Sequence, residues 1–275
     1  SNSAIGCGAL KLNETGASNI AMGVNSMLAN TTGGSNSALG NNTLQYNTSG
    51  VCNTAVGRCS LFCNTTASNN TAIGFCSLRS NTTGTNNAAV GDVALDANTT
   101  GTSNTAIGRA SLTDNTTGDN NTAVGYLSLG DNTTGFNNNA FGYQSLCSNT
   151  EGECNNAHGN LTLSKNTTGD NNTAFGHLAL RCNTTADNNT GVGSFALCKN
   201  TEGFSNTAVG HCAIFTNTTG DKNTGVGVGA LLVSTTADNN TAVGYLSLAA
   251  NTTGGLNTAL GESALLSNTT ASYNV

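Results

Sequence analysis

The sequence predicts an all-β fold, a parallel β-solenoid or β-roll of sixteen 17-residue rungs, and three observations predict it. An Asn recurs every 17 residues from Asn2 to Asn257, Asn274 opens a further unit, and no insertion or deletion breaks the spacing. Gly fills the fifth position of every unit, from Gly6 to Gly261. Apolar residues hold two fixed offsets. Position four is aliphatic or aromatic in all units but one, and position nine is Leu except at Met27 and Ile214. A gapless repeat of this length implies stacked units that bury a shared core, so residues 1–275 read as one elongated repeat domain.

Each part of the unit has a physical reading, clearest in Asn121 to Asn137, NTAVGYLSLGDNTTGFN. Two short strands are expected per rung, at positions one to four and six to ten, because small and apolar residues alternate there as on a strand. The residues at positions four and nine are expected to form two buried rows. The invariant Gly at position five suits a bend with positive φ or a close backbone approach. The N-T-T-G segment at positions twelve to fifteen suits a turn. Stacked in register at about 4.8 Å, the Asn residues at positions one and twelve would form amide ladders. Helix is excluded, since Asn, Gly and Thr are poor helix formers and the apolar positions lack a 3.6-residue period.

Composition narrows the function. Only 8% of residues are charged, the formal net charge is −6, and no basic patch offers itself to phosphates, so nucleic acid is not an expected partner. No apolar run is long enough to insert in a membrane as a helix. Acidic residues form no carboxylate pair of the kind glycoside hydrolysis uses, and no Cys-x-x-Cys or Cys/His cluster occurs, so no catalytic group, metal or cofactor is expected. Ten cysteines in so polar a chain point to an oxidising compartment. The expected location is extracellular, on a cell surface or on a virion surface.

The cysteines can be placed in the coordinates of the unit. Cys59 and Cys76 share position seven of neighbouring rungs, where the spacing suits a disulfide. Cys147 and Cys154 flank one turn, Cys52 and Cys63 flank a comparable turn one rung offset, and Cys182 and Cys198 lie on adjacent rungs. These four pairs are candidate disulfides; Cys7 and Cys212 are candidate interchain cysteines.

N-x-[ST] sequons recur at position twelve and mark candidate N-glycosylation sites at Asn13, Asn30, Asn47, Asn64, Asn81, Asn98, Asn115, Asn132, Asn166, Asn183, Asn217, Asn251 and Asn268. The competing reading is a turn with an amide ladder, because Asn149 and Asn200 persist where Glu151 and Glu202 remove the sequon. His158 stands in the position-four row and reads as a neutral, hydrogen-bonded core histidine. His177 and His211 share position six but lie two rungs apart, too far to form one site.

At N-[TS]-A-[VI]-G followed by a small-Leu pair, the chain resembles repeats of phage and large-virus tail-fibre-like proteins, with Asn240 to Gly254, NTAVGYLSLAANTTG, fitting at every fixed position. More distantly it resembles the β-roll head repeats of trimeric autotransporter adhesins. The resemblance implies a structural fibre protein that associates with itself as a homotrimer. The alternative is an adhesin or tail-fibre shaft that binds a receptor or glycan. A third reading, an ice-binding solenoid, rests on the Thr row at position thirteen, since position two is interrupted at Ile20, Ala88, Asn139 and Asn156. Ser1 falls at position seventeen and Val275 at position two, so neither end carries a distinct capping rung. A piece of a longer shaft and subunits stacked head to tail are both consistent with such ends, and filament assembly is the expectation. The chain shows neither a signal peptide nor an initiating Met, as a mature form or a segment would.

Overall fold

The computed structural model describes Ser1–Val275, and the fold is a parallel β-solenoid with one turn per 17-residue unit. The chain divides into two compact units, Ser1–Asn137 and Asn138–Val275. The first holds β1 (Ser3–Ile5), β2 (Ile20–Met22), β3 (Ser37–Leu39), β4 (Thr54–Val56), β5 (Thr71–Ile73), β6 (Ala88–Val90), β7 (Thr105–Ile107) and β8 (Thr122–Val124). The second holds β9 (Asn139–Phe141), β10 (Asn156–His158), β11 (Thr173–Phe175), β12 (Thr190–Val192), β13 (Thr207–Val209), β14 (Thr224–Val226), β15 (Thr241–Val243) and β16 (Thr258–Leu260). Within each unit consecutive strands pair in parallel and in strict register, as in Ala55↔Ala72 and Ala208↔Gly225.

The rung contains one strand, not the two expected. Positions two to four are extended, but positions six to ten form successive tight turns. In the third rung Asn42 has φ 58° and Leu44 has φ 50°, and equivalent residues in the other rungs share this left-handed conformation. The N–H groups at positions eight and twelve bond three residues back, as in Ser60 N to Gly57 O at 3.3 Å and Asn64 N to Leu61 O at 3.2 Å. Alternating left- and right-handed residues also repeat every second residue, so the sequence pattern resembled a strand. Left-handed Leu is normally disfavoured. Here its amide reaches the neighbouring rung, as in Leu44 N to Ser60 O at 3.1 Å, and its side chain is fully buried.

The interior of each unit is narrow. It contains the Asn of positions one and twelve, the Ala of position three, the small residue of position eight and the Leu of position nine, nearly all without solvent exposure. The position-four row expected in the core instead faces outward, with Leu39 50% exposed and Val243 38% exposed. Neighbouring residues on a strand point to opposite faces, so burying Ala at position three turns position four to solvent. Ala is selected inside because its Cβ packs on the Leu of the preceding rung. At Gly225 a Cβ would lie 2.7 Å from Cγ1 of Ile214, which explains why the one unit with Ile at position nine is followed by Gly at position three.

Candidate functional site

Two rows of buried amides run through each unit. At position one, the side-chain N–H of Asn36 donates to Gly50 O at 2.9 Å, fourteen residues on, and closes its own rung. The backbone N–H of Asn53 then donates to Asn36 Oδ1 at 2.9 Å and ties the next rung to it. At position twelve, Asn47 Nδ2 donates both to Gly50 O at 3.1 Å and to Asn30 Oδ1 at 2.8 Å. One carbonyl at position fifteen thus accepts from both rows. Thr at position thirteen adds a third row: Thr48 Oγ1 donates to Thr65 O at 3.0 Å.

These contacts correct the glycosylation expectation at the internal sites. Asn30, Asn47, Asn64, Asn81, Asn98, Asn115, Asn132, Asn166, Asn183, Asn217 and Asn251 are buried with their amide nitrogens bonded inside the rung, so a folded rung has no room for a sugar there. Asn13 and Asn268 are half-buried, and each still donates to the position-fifteen carbonyl of its own rung. The position-thirteen hydroxyls are likewise spent on backbone carbonyls, which removes them as an ice-facing array.

Ser234 marks the one defect in the position-twelve row. Too short to reach its neighbour, it leaves Asn217 Oδ1 and its own hydroxyl buried without hydrogen bonds. Ser234→Asn is therefore expected to stabilise the second unit by about 1–3 kcal/mol, the usual cost of an unsatisfied buried polar group. A urea unfolding midpoint no higher than that of the parent would contradict it.

None of the four candidate disulfide pairs is joined by a bond. Cys52 is exposed at position seventeen of one rung and Cys63 half-buried at position eleven of the next. Cys147 and Cys154 take the corresponding positions ten and seventeen of one rung, both half-buried. Cys182 N donates to Cys198 O at 3.1 Å, which sets these two on adjacent rungs, and burial and then the nearby Cys182 raise the Cys198 pKa. Cys7 is exposed, while Cys212 is half-buried with its Sγ 3.7 Å from His211 Nε2.

Cys59 and Cys76 are in contact, and burial followed by the Cys59 neighbour raises the Cys76 thiol above its ordinary range. Both line a groove of about 450 Å³ with Cys63, Arg58, Arg79 and Phe75. Oxidation by a small disulfide is expected to join Cys59 to Cys76 and close a 17-residue loop, worth about 3 kcal/mol in the chain-entropy picture. Thermal melts with and without reductant should differ for the parent and coincide for Cys59→Ser.

His158 is not a hydrogen-bonded core residue. It lies on the outward row between Phe141, 4.7 Å away and 10° from parallel, and Phe175, 4.4 Å away and 3° from parallel, and its Nδ1 is buried without a partner. Burial lowers its pKa below the ordinary 6.5. The folded state then binds fewer protons than the unfolded chain as pH falls through that value. Its stabilising contribution is complete above the unfolded pKa and is lost as pH drops through the folded one. His158→Phe is expected to flatten this part of the pH–stability profile, with the His158 ring titrating below 6.5 by NMR in the parent. His177 and His211 both pack edge-on against Phe195, which stands between their rungs.

Sequence reasoning weighed position two as a face but missed that position four lies outward beside it. Positions two and four project together from every strand, and the position-two hydroxyls of β11 to β16 make no bond to the protein. The inward turn of Ala at position three was the available signal. These features define a β-solenoid repeat protein with buried side-chain rows that repeat from rung to rung. In comparisons with protein-family models, curated proteins and solved structures, no match to the chain was found.

Proposed function

We propose that the chain is a structural protein, part of an extracellular or virion-surface fibre, whose work is mechanical and whose partners are further copies of itself. The observation that carries this reading is the continuity of the amide rows. Within each unit almost every rung is bonded to the next through buried side-chain amides as well as peptide groups, so tension along the stack is shared among parallel bonds. Such rows resist local opening better than peripheral contacts do.

Lateral association is supported by the outward row of the first unit. Met22, Leu39, Ile73, Val90 and Ile107 are exposed and stand at the same rung spacing, so a second copy can meet them in register. The test is sedimentation and negative-stain microscopy of the purified chain across a concentration series. Assemblies that grow with concentration and are lost in Ile73→Lys/Ile107→Lys are expected. A chain that remains monomeric throughout would overturn the proposal.

A further inference from the structure

We propose that the outward surface of β11 to β16 binds ice. Position two is Thr in all six strands, from Thr173 to Thr258, and the strands pair in register. Position four supplies Val192, Val209, Val226 and Val243 beside them, flanked by Phe175 and Leu260. The residue between them is Ala or Gly and is buried, so positions two and four project on the same side.

The repeat is two-dimensional. Equivalent side chains recur at about 4.8 Å from strand to strand and at about 6.6 Å between alternate residues along a strand. Water oxygens on a prism plane of hexagonal ice also recur along two perpendicular directions, at spacings that the short repeat nearly matches and the long repeat approaches. The hydroxyls of Thr173, Thr190, Thr207, Thr224, Thr241 and Thr258 accept and donate nothing within the protein, whereas those at position thirteen are held by the adjacent rung. Solvent is their remaining partner.

No ionisable side chain interrupts either row across these six strands. The methyl groups of Thr and Val cannot hydrogen-bond water and leave it bonded to itself, while the hydroxyls anchor that water at fixed points. A surface of this kind fits crystalline water better than a protein partner, which would supply groups of mixed size and charge. The patch has definite limits. Asn139 and Asn156 replace Thr in β9 and β10 and bond each other at 3.0 Å, His158 interrupts position four, and Ile20 and Ala88 break the position-two row of the first unit.

This inference is independent of the fibre reading, whose lateral contact uses the first unit. The test is nanolitre osmometry and ice-crystal morphology of the full chain, with folding of each variant checked by circular dichroism. The parent is expected to shape ice crystals and to show a gap between melting and freezing points. Thr224→Lys should lose most of that gap, and so should Thr241→Leu, which adds bulk without charge. Thr219→Lys, exposed at position fourteen, should retain it. Round crystals without a gap in the parent would overturn the proposal. So would folded Thr224→Lys or Thr241→Leu protein with the full gap, or an equal loss in Thr219→Lys.

Discussion

Asn104→Ala is expected to destabilise the first unit by about 1–3 kcal/mol, because it orphans the buried N–H of Asn121 and leaves Gly118 O with Asn115 as its one side-chain donor. Asn104 is fully buried; its Nδ2 donates to Gly118 O at 2.8 Å, and its Oδ1 accepts from Asn121 N at 2.9 Å. Its own N–H donates to Asn87 Oδ1 at 2.9 Å, a bond that Ala retains. The loss therefore falls on the closure of one rung and its tie to the next. Thr105→Ala, one residue away and outward-facing, serves as the control. Urea unfolding followed by hydrogen exchange at the Asn121 amide reads the effect. A midpoint within about 0.5 kcal/mol of the parent, the range of neutral surface changes, would show that the amide rows do not hold the rungs.

Gly108→Ala is expected to cost at least about 3 kcal/mol, through left-handed backbone strain and a steric clash together. Its φ of +132° is one that L-residues rarely adopt, and a Cβ would stand 2.6 Å from Gly125 O and 2.8 Å from Gly125 C. The obstruction is backbone of the next rung, and it adds to the strain of the positive φ. Gly118→Ala provides a contrast. A Cβ there would stand 2.3 Å from Gly135 O, but its φ lies outside the left-handed range, and Ala67, Ala186 and Ala237 occupy the same position in other rungs, so a small shift admits the methyl and φ is what separates the two sites. Thermal melts that rank the two substitutions in the opposite order would refute this account of why position five is always Gly.

Much of the architecture was legible because stacking converts sequence period directly into geometry. Parallel in-register pairing follows from the unbroken spacing, and the Asn residues at positions one and twelve form the ladders that their spacing implies. The second strand was not legible. The pattern at Cys59–Ser60–Leu61–Phe62 resembles strand alternation, but left-handed φ values at Cys59 and Leu61 generate it, and neither residue type signals that conformation. At position seventeen the frequent Asn did carry such a signal, and Asn69, Asn86 and Asn120 are left-handed there. The sequons were ambiguous for a related reason, since an Asn that closes a turn and an Asn that accepts a sugar have the same local sequence.

By itself, the sequence determined the period, the parallel register, the need for Gly at position five and the identity of the amide rows, because each depends only on which residues recur at 17-residue intervals. Tertiary structure decided which side of the strand faces inward. Two apolar rows were available, at positions four and nine, and a rung drawn closed by the bond from Asn36 to Gly50 leaves room for Leu from one side and only Ala or Gly from the other. That steric choice turned Val, Ile and Phe outward beside Thr. The surface on which both proposed associations depend was therefore set by the width of the interior, a quantity that no local pattern contains.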